Sequence, residues 1–515
     1  MVPNLGEELI AVLDFGGQYS HLITRRIREC SVYSELLPYS TNSNRLLELN
    51  AKGVILSGGP ASVYEKNAPK CDPKIFQLGL PVLGICYGLQ LIVEMLGGHV
   101  KSTNRSEYGK TELKIIDRRD LFREMPSQII AWMSHGDYAE LLPKGFEVIG
   151  ESENCKTAAI RDSSAQLYGV QFHPEVAHTT KGTQIIKNFA TKICKCSPKW
   201  TAKSIIDSAT EQIRASVGPE KVLAGVSGGI DSTTTALLVK KAIQDRLTCV
   251  FVNHGLLRKN EEHVVLRALN ELQLNVHYVD VKSRFLERLK GITDSETKRK
   301  IIGEEFIKVF DEESKKLGVF QWLAQGTLYP DVIESASTGS VASKIKTHHN
   351  VGGIPTWTRF KIIEPLRLLY KDEVRRIAKE LDVPDTIVGN HPFPGPGLAV
   401  RVVGEVTQDK LRICRESSAI VEEVLKHHEL YDSVWQAFAI VGDDLAVGVL
   451  GDQRKLGHMV TVRIVQSIDG MTADWARIPE HVLEEISNRI TGEVSGVTWV
   501  AYSVTSKPPS TIEPC

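Results

Sequence analysis

Residues 81–96 read PVLGICYGLQLIVEML. The first six are a short apolar run opened by a proline, the signature of a fully buried strand. The following ten stay mostly apolar but admit Gln90 and Glu94, as an amphipathic helix does. Between the two lies Gly84-Ile85-Cys86-Tyr87-Gly88, a tight strand-to-helix turn and the thiol counterpart of the Gly-x-Ser-x-Gly nucleophile elbow. A cysteine there meets the positive end of the next helix, which favours its thiolate. The same pentapeptide also reads as a core cysteine beside two turn glycines, because free cysteine is among the most buried residue types. The breaks at Pro81 and Gly84 and the polar Gln90 and Glu94 argue against a membrane span over Gly79 to Gly98.

Strand-like runs of the same kind occur at 9–14 (LIAVLD), 53–59 (GVILSGG) and 168–172 (YGVQF), separated by helical segments such as 18–30, the pattern of a wound α/β sheet. CKCSPKWT at 194–201 breaks the periodicity. A second series then follows at 222–226, 248–252, 275–280 and 321–326. Residues 281–319 are charged with helical period, and 335–358, rich in Ser, Thr, Gly and His, read as a long loop. The cluster HPFPGPGL (391–398) punctuates the chain again, since each proline removes a donor and biases its predecessor away from helix. Beyond it the expectation is a strand at 398–405, a helix at 408–430, strands at 434–441, 445–451 and 459–468, a helix at 479–491 and a strand at 497–504. The expected fold class is α/β: two wound parallel-sheet α/β domains (1–198 and 199–390) followed by a small α+β C-terminal domain (391–515).

The length of 515 residues, at about 150 per domain, agrees with three domains. With 42% hydrophobic and 24% charged residues the composition is that of a folded globular chain. Lys+Arg 62 against Asp+Glu 63 supplies none of the whole-chain basicity that holds a protein on nucleic acid or anionic membrane, so neither is an expected partner. Nine cysteines, spread thinly and odd in number, read as reduced thiols. The opening MVPNLGEELIAVLDF shows neither a basic n-region nor a long apolar h-region, which predicts a cytoplasmic protein.

The run YGVQF ends at His173-Pro174-Glu175, where active-site groups collect in wound sheets. In extended geometry His173 and Glu175 project to one side, and a histidine held by a carboxylate is the recurring means of activating a thiol. A proline-containing strand end with a solvated acid is the plainer reading. GICYGLQ and HPE in this order, with DFGGQYSH (14–21), LSGGP (56–60) and SHGD (134–137), resemble the class I glutamine amidotransferase family. That resemblance implies glutamine hydrolysis through a cysteinyl thioester, with Cys86 as nucleophile, His173 as base and then acid, and Glu175 as orienter. It also implies an oxyanion hole from the backbone N–H groups of Gly59 and Tyr87, and a glutamine-holding region at Gln90, Ser134, His135 and Asp137.

In the second series VLAGV runs into Ser227-Gly228-Gly229-Ile230-Asp231-Ser232, with a helix expected from near Thr233. Two glycines let backbone amides approach phosphate, the hydroxyls of Ser227 and Ser232 donate, the helix terminus adds positive potential, and Asp231 suits a magnesium ion. The motif is neither Gly-x-x-x-x-Gly-Lys-Ser/Thr nor Gly-x-Gly-x-x-Gly, and on its own could be ordinary turn chemistry. It resembles the loop of the N-type ATP pyrophosphatases. The resemblance implies ATP binding at Ser227, Gly228, Gly229, Ile230, Asp231, Ser232 and Thr233, with cleavage to AMP and pyrophosphate.

Taken together with VFVNHGLLRKNE (250–261), KRKIIGEEF (298–306), QGTLYPDVIES (325–335), KTHHNVGG (346–353) and SKPPSTIE (506–513), the whole chain resembles the glutamine-hydrolysing GMP synthase family. This implies three substrates, xanthosine monophosphate (XMP), ATP and glutamine, magnesium as the ion accompanying ATP, no organic cofactor, and a homodimer through the C-terminal domain. Arg299, Gln436, Asp452, Lys507, Thr511, Ile512 and Glu513 match XMP-contacting positions, and Lys346 matches a lid lysine. Two features depart from the family: Asn253 stands where an acid is usual, and the chain ends Glu513-Pro514-Cys515 rather than in an aromatic followed by Glu. A different carbonyl acceptor, or a catalytically silent nucleotide sensor, are the rival readings; intact Cys86, His173, Glu175 and Asp231 speak against the second.

Overall fold

The computed structural model describes residues 8–332, 360–450, 453–467 and 472–515. The chain forms two compact units that divide between Ile205 and Ile206.

The first unit carries a nine-stranded sheet. Its strands are β1 (Leu9–Asp14), β2 (Tyr33–Pro38), β3 (Ala51–Leu56), β4 (Val82–Ile85), β5 (His99–Ile115), β6 (Gln128–Leu141), β7 (Glu147–Glu151), β8 (Ala159–Asp162) and β9 (Leu167–Val170). The order is β2-β1-β3-β4-β9-β8-β7-β5-β6. The first five are parallel, with Val54 paired to Val82 and Val82 to Leu167. The inner four, β1, β3, β4 and β9, are covered on both faces, so they read as apolar runs: Ile10, Val12, Ile55, Leu83 and Ile85 are fully buried, whereas the edge strand β2 is only half-buried. The remaining strands extend the sheet antiparallel, through the long β5–β6 hairpin. That hairpin escapes the sequence pattern because its outer face is not uniformly polar; along β6, Ile129, Ala131 and Met133 are buried, but outward Ile130 and half-buried Trp132 break the alternation. Wound order makes β4 and β9 neighbours although more than eighty residues separate them, and their C-terminal tips lead to Cys86 and His173.

The second unit holds two sheets. Strands β10 (Val222–Gly225), β11 (Leu247–Asn253), β12 (Val276–Asp280), β13 (Trp322–Ala324) and β14 (Lys361–Ile363) form a parallel sheet in the order β12-β11-β10-β13-β14. Strands β15 (Gln436–Leu450), β16 (Gln453–Gln466), β17 (Asp474–Trp475) and β18 (Val497–Tyr502) form the other, covered by the helices Gln408–His427 and Glu480–Glu493. One apolar core runs through both, from Leu223 and Val250 to Leu411, Val421, Ala439 and Val462.

Three local expectations are corrected. Residues 398–405 are not a strand: Gly397–Val400 is a 3-10 turn, Leu398 donates its N–H to Leu256 O at 2.8 Å, and only Val402 makes an isolated bridge, to Val441. A four-residue buried apolar run carries no period that separates strand from turn. The strands expected at 434–441 and 445–451 are one strand, β15, whose register shifts between Val441 and Leu445. The helix expected near Thr233 begins at Ile230. The loop expected at 335–358 lies outside the described residues. All nine cysteines carry free thiols. Among the described residues no helix is long and apolar enough to cross a membrane.

Candidate active sites

Cys86 occupies the N-cap of the helix Tyr87–Met95 with φ +52° and ψ −105°, a conformation side chains rarely adopt. Glycine is required on both sides of it: a Cβ at residue 84 would lie 2.4 Å from Gly88 backbone, and one at residue 88 would lie 2.3 Å from Leu56 O. The turn is held by Cys86 N donating to Val170 O at 2.8 Å and by Gln90 N donating to Cys86 O at 3.2 Å. Such strain costs about 1–3 kcal/mol and persists where the surroundings over-determine it. The sulfur is buried, facing Ser134 O at 3.7 Å and accepting from Gln171 Nε2 at 3.6 Å.

His173 follows β9. Its N–H donates to Trp132 O at 3.0 Å, and its carbonyl accepts from Thr179 Oγ1 at 2.6 Å, so backbone of β6 fixes it from the side. Its Nδ1 lies 2.7 Å from Glu175 Oε1, and both side chains are buried. Burial pulls the imidazole pKa down, but the Glu175 carboxylate and the neighbouring Cys86 sulfur outweigh it and lift it to about 10. His173 and Cys86 border the same space beside Gly58: a Cβ there would lie 3.2 Å from His173 Cε1 and 3.8 Å from Cys86 Cβ. With Nδ1 committed to Glu175, Nε2 is the nitrogen left for proton transfer.

Around this pair, Gln90 donates to Asp137 O at 3.0 Å and to Gln171 Oε1 at 3.3 Å, and the Asp137 carboxylate accepts from Ser62 Oγ at 2.6 Å and Tyr64 OH at 3.0 Å. His135 places Nδ1 3.0 Å from Asp137 O and Nε2 3.2 Å from Glu107. Ser134 offers its carbonyl to the sulfur, while Gln90 and His135 are buried and brace β6. Ser57 Oγ accepts from Phe15 N at 3.0 Å and donates to Gly58 O at 2.8 Å, which steadies the turn carrying Gly59. Tyr87 is anchored by its hydroxyl donating to Pro69 O at 2.6 Å. Gln171 was not singled out from sequence, although a polar residue in the buried run YGVQF was the available signal.

In the second unit, the loop after β10 is cross-braced by its own hydroxyls. Ser227 N and Oγ each lie 3.2 Å from Ser232 Oγ, and Gly229 N donates to Ser227 Oγ at 3.3 Å. Gly228 has φ +78°, and a Cβ there would collide with Val265 at 2.2 Å. Gly229 caps the helix Ile230–Ile243, and Thr233 N donates to Gly229 O at 3.1 Å. Asp231 Oδ2 pairs with Lys371 Nζ at 2.6 Å, whereas Asp231 Oδ1 and Thr233 Oγ1 are buried with no hydrogen-bond partner among the described residues. Lys371 opens a helix 140 residues downstream, a contact that no local motif announces.

The residues matched to XMP gather around the C-terminal segment. Arg299 Nη2 donates to Cys515 O at 2.5 Å, and Gln436 Nε2 donates to Glu513 Oε1 at 2.6 Å and Pro392 O at 2.9 Å. Thr511 Oγ1 donates to Glu513 O at 2.5 Å, and Ile512 packs with Phe438, Val465 and Ala473. Lys507 bridges to Ala473 by backbone hydrogen bonds of 2.7 and 3.0 Å. Two arginines absent from the sequence reading organise this region. Buried Arg401 lies 3.9 Å from Glu513, its guanidinium 4.2 Å from the Phe438 ring centroid, and Arg463 donates to Thr505 O and Thr511 O. Asp452 and Lys346 lie outside the described residues.

Comparison with known proteins covers the whole chain. GMP synthase (glutamine-hydrolyzing) of Caldanaerobacter subterraneus subsp. tengcongensis is 54% identical over 507 residues, 98% of this chain and 99% of that one. The same enzyme of a Synechococcus species is 52% identical over 520 residues, 99% and 97% of the two chains. That of Crocosphaera subtropica is 51% identical over 518 residues, 99% and 96%. The chain belongs to the glutamine-hydrolysing GMP synthase family. It is thereby one of the ATP-dependent amidotransferase ligases. Family models divide along the chain in the order of the sites: glutamine amidotransferase class-I over residues 11–193, NAD synthase over 202–306 and GMP synthase C terminal domain over 423–514. The first takes in Cys86, His173 and Glu175, the second the loop 227–233, and the third Gln436 and the C-terminal segment through Glu513.

Proposed function

We propose that this protein makes GMP from XMP, ATP and glutamine, releasing AMP, pyrophosphate and glutamate. What carries the reading is the likeness to GMP synthases at 51–54% identity over 98–99% of the chain, together with chemistry suited to each half-reaction.

In the first half, the Cys86 thiolate attacks the glutamine carboxamide carbon. The oxyanion is met by the backbone N–H groups of Gly59 and Tyr87, fixed donors worth most where charge develops. His173 delivers a proton from Nε2 to the departing ammonia, leaving a thioester. It then takes a proton from the water that attacks that thioester, which frees glutamate and Cys86. Glu175 holds the imidazolium through Nδ1. Gln90, Ser134, His135 and Asp137 shape the glutamine pocket.

In the second half, the XMP O2 attacks the α-phosphorus of ATP, and pyrophosphate departs into the amides and hydroxyls of Ser227 to Thr233. Ammonia then adds at C2 and expels AMP. The orphaned Asp231 Oδ1 suits magnesium, which takes one or two carboxylates and completes its shell with phosphate and water. Held by Asp231, such an ion would neutralise charge on the phosphate oxygens. Arg299, Gln436, Asp452, Lys507, Thr511, Ile512 and Glu513 hold XMP, and Lys346 closes over the nucleotides. Residues 1–198, 199–390 and 391–515 act as amidotransferase, adenylating and XMP-binding domains of a cytoplasmic homodimer.

The test is a mass-resolved product analysis with XMP, Mg-ATP and amide-labelled glutamine. Labelled GMP with AMP and pyrophosphate is expected; absence of XMP-dependent AMP would refute the reading.

A further inference from the structure

Beyond the loop at 227–233 lies a second polar cluster with no role so far. Asn253 ends β11, the strand beside β10, and Val226 N donates to Val250 O at 3.0 Å, so the tip of β11 borders the loop. In wound sheets nucleotides bind at the carboxyl ends of the strands. In dinucleotide-binding sheets, whose Gly-x-Gly-x-x-Gly loop differs from this one but sits at the same place, the tip of the next strand, about 20 residues on, carries an acid that takes a ribose hydroxyl. Here that residue is an amide. A carboxylate nevertheless stands in contact with it: Asn253 Nδ2 donates to Glu262 Oε2, and Tyr278 OH donates to Glu262 Oε1 at 2.5 Å. Gly255 N donates to Asn253 Oδ1 at 3.0 Å, which fixes the amide so that its NH₂ faces Glu262.

Glu262 lies on the loop side of its helix, Glu261–Glu271. Val265, one turn on and on the same face, is the residue that closes against Gly228. Each Glu262 oxygen has one of these two side-chain donors, and a carboxylate offers about four acceptor sites, so each retains capacity for a ligand hydroxyl. Its side chain is 25% exposed, which leaves it open to one, and Lys282 Nζ at 3.6 Å helps offset its charge. Burial and the Glu262 carboxylate hold the Tyr278 phenol up at about 12, so it remains a donor.

We propose that Glu262, oriented by Asn253 and Tyr278, is the carboxylate that accepts the ribose 2′-hydroxyl of ATP. This rests on the assignment of the loop 227–233 to ATP.

The test compares ATP with 2′-deoxy-ATP in ammonia-dependent synthesis by the full chain. The wild type should favour ATP. Glu262→Ala should raise the KM for ATP roughly 10- to 150-fold, the value of a charge-assisted hydrogen bond. The KM for 2′-deoxy-ATP should stay within about 2-fold, since that nucleotide never made the contact. Glu262→Gln, which keeps the shape, should reduce the discrimination in the same direction and serves if the alanine variant does not fold. Asn253→Asp combined with Glu262→Ala returns a carboxylate to the strand tip and should restore it. An equal rise for both nucleotides, or an unchanged ratio in both single variants, would overturn the proposal by showing a packing role. If the wild type cleaves no ATP in the presence of XMP, the loop assignment itself falls and takes this proposal with it.

Discussion

His173 Nδ1 lies 2.7 Å from Glu175 Oε1 with both side chains shielded from solvent. The carboxylate therefore does more than orient the ring. It reverses the effect of burial and lifts the imidazole pKa to about 10, so the folded protein holds a proton there at neutral pH that the unfolded chain, titrating near 6.5, sheds. Stability from this pair is full below about 6.5 and is lost as pH rises towards the folded value. Glu175→Gln should bring the His173 titration down towards neutrality, followed by NMR of the ring, and flatten that pH dependence of stability. It should also cut glutaminase kcat by about 10²- to 10⁴-fold, the contribution of a well-placed acid–base group, while ammonia-driven synthesis is spared.

Cys86 separates chemistry from backbone geometry. Cys86→Ala should abolish glutamine-driven synthesis and leave ammonia-driven synthesis largely intact, because in the proposed scheme the thiolate serves only ammonia release. Equal loss with both nitrogen sources would sink the two-site scheme. Because φ is +52° at this position, Cys86→Gly should fold more stably than Cys86→Ala, by about 1 kcal/mol, through relief of the strain a Cβ imposes. Thermal unfolding of the two variants side by side measures it.

Asp231 and Lys371 form the contact at the head of the phosphate loop. Asp231→Ala should stop synthesis from either nitrogen source, since in the proposed scheme adenylation precedes both, and normal ammonia-dependent turnover would refute the loop assignment. Lys371→Ala should leave glutamine hydrolysis untouched and raise the KM for ATP about 10-fold, the order expected for one charge-assisted hydrogen bond. An unchanged KM would reduce Lys371 to an ordinary ion pair worth little.

How much of this was legible in the sequence follows from how far apart the partners lie. Cys86 and the Ser227 to Thr233 loop each sit at a turn whose glycines, spacing and flanking strand are contiguous, and the pair His173 and Glu175 is only two residues apart. The inner parallel strands were visible because double-sided burial leaves apolar runs, whereas the edge strands β2 and β14, half-buried or only three residues long, were not. The β5–β6 hairpin was not, because apolar Ile130 and Trp132 on its outer face break the alternation that marks a half-buried strand. Lys371 on Asp231, Arg463 on the C-terminal segment and Glu262 on Asn253 are joined by tertiary folding alone. The misread strand at 398–405 shows the converse: Leu398 and Val400 are buried as a strand would be, but the backbone bond to Leu256 fixes a turn.

Lys507 tests the C-terminal end of the proposed nucleotide site. Its backbone is pinned to Ala473 on both the N–H and the carbonyl side, and Pro508 and Pro509 follow, so its backbone loses little freedom on meeting a ligand. If its ammonium meets the XMP phosphate, Lys507→Ala should weaken XMP binding roughly 10- to 150-fold, the equivalent of a charge-assisted hydrogen bond of about 1.5 to 3 kcal/mol. ATP affinity should change little. Glutamine hydrolysis in the absence of nucleotides should be spared, because Cys86 belongs to the other compact unit. Raising the salt concentration should weaken wild-type XMP binding more than that of the variant, since the lost contact is ionic. Titration of XMP and ATP against the purified variant decides the matter: an unchanged XMP affinity would show that the Lys507 ammonium does not meet the phosphate, and would require the phosphate to be met elsewhere.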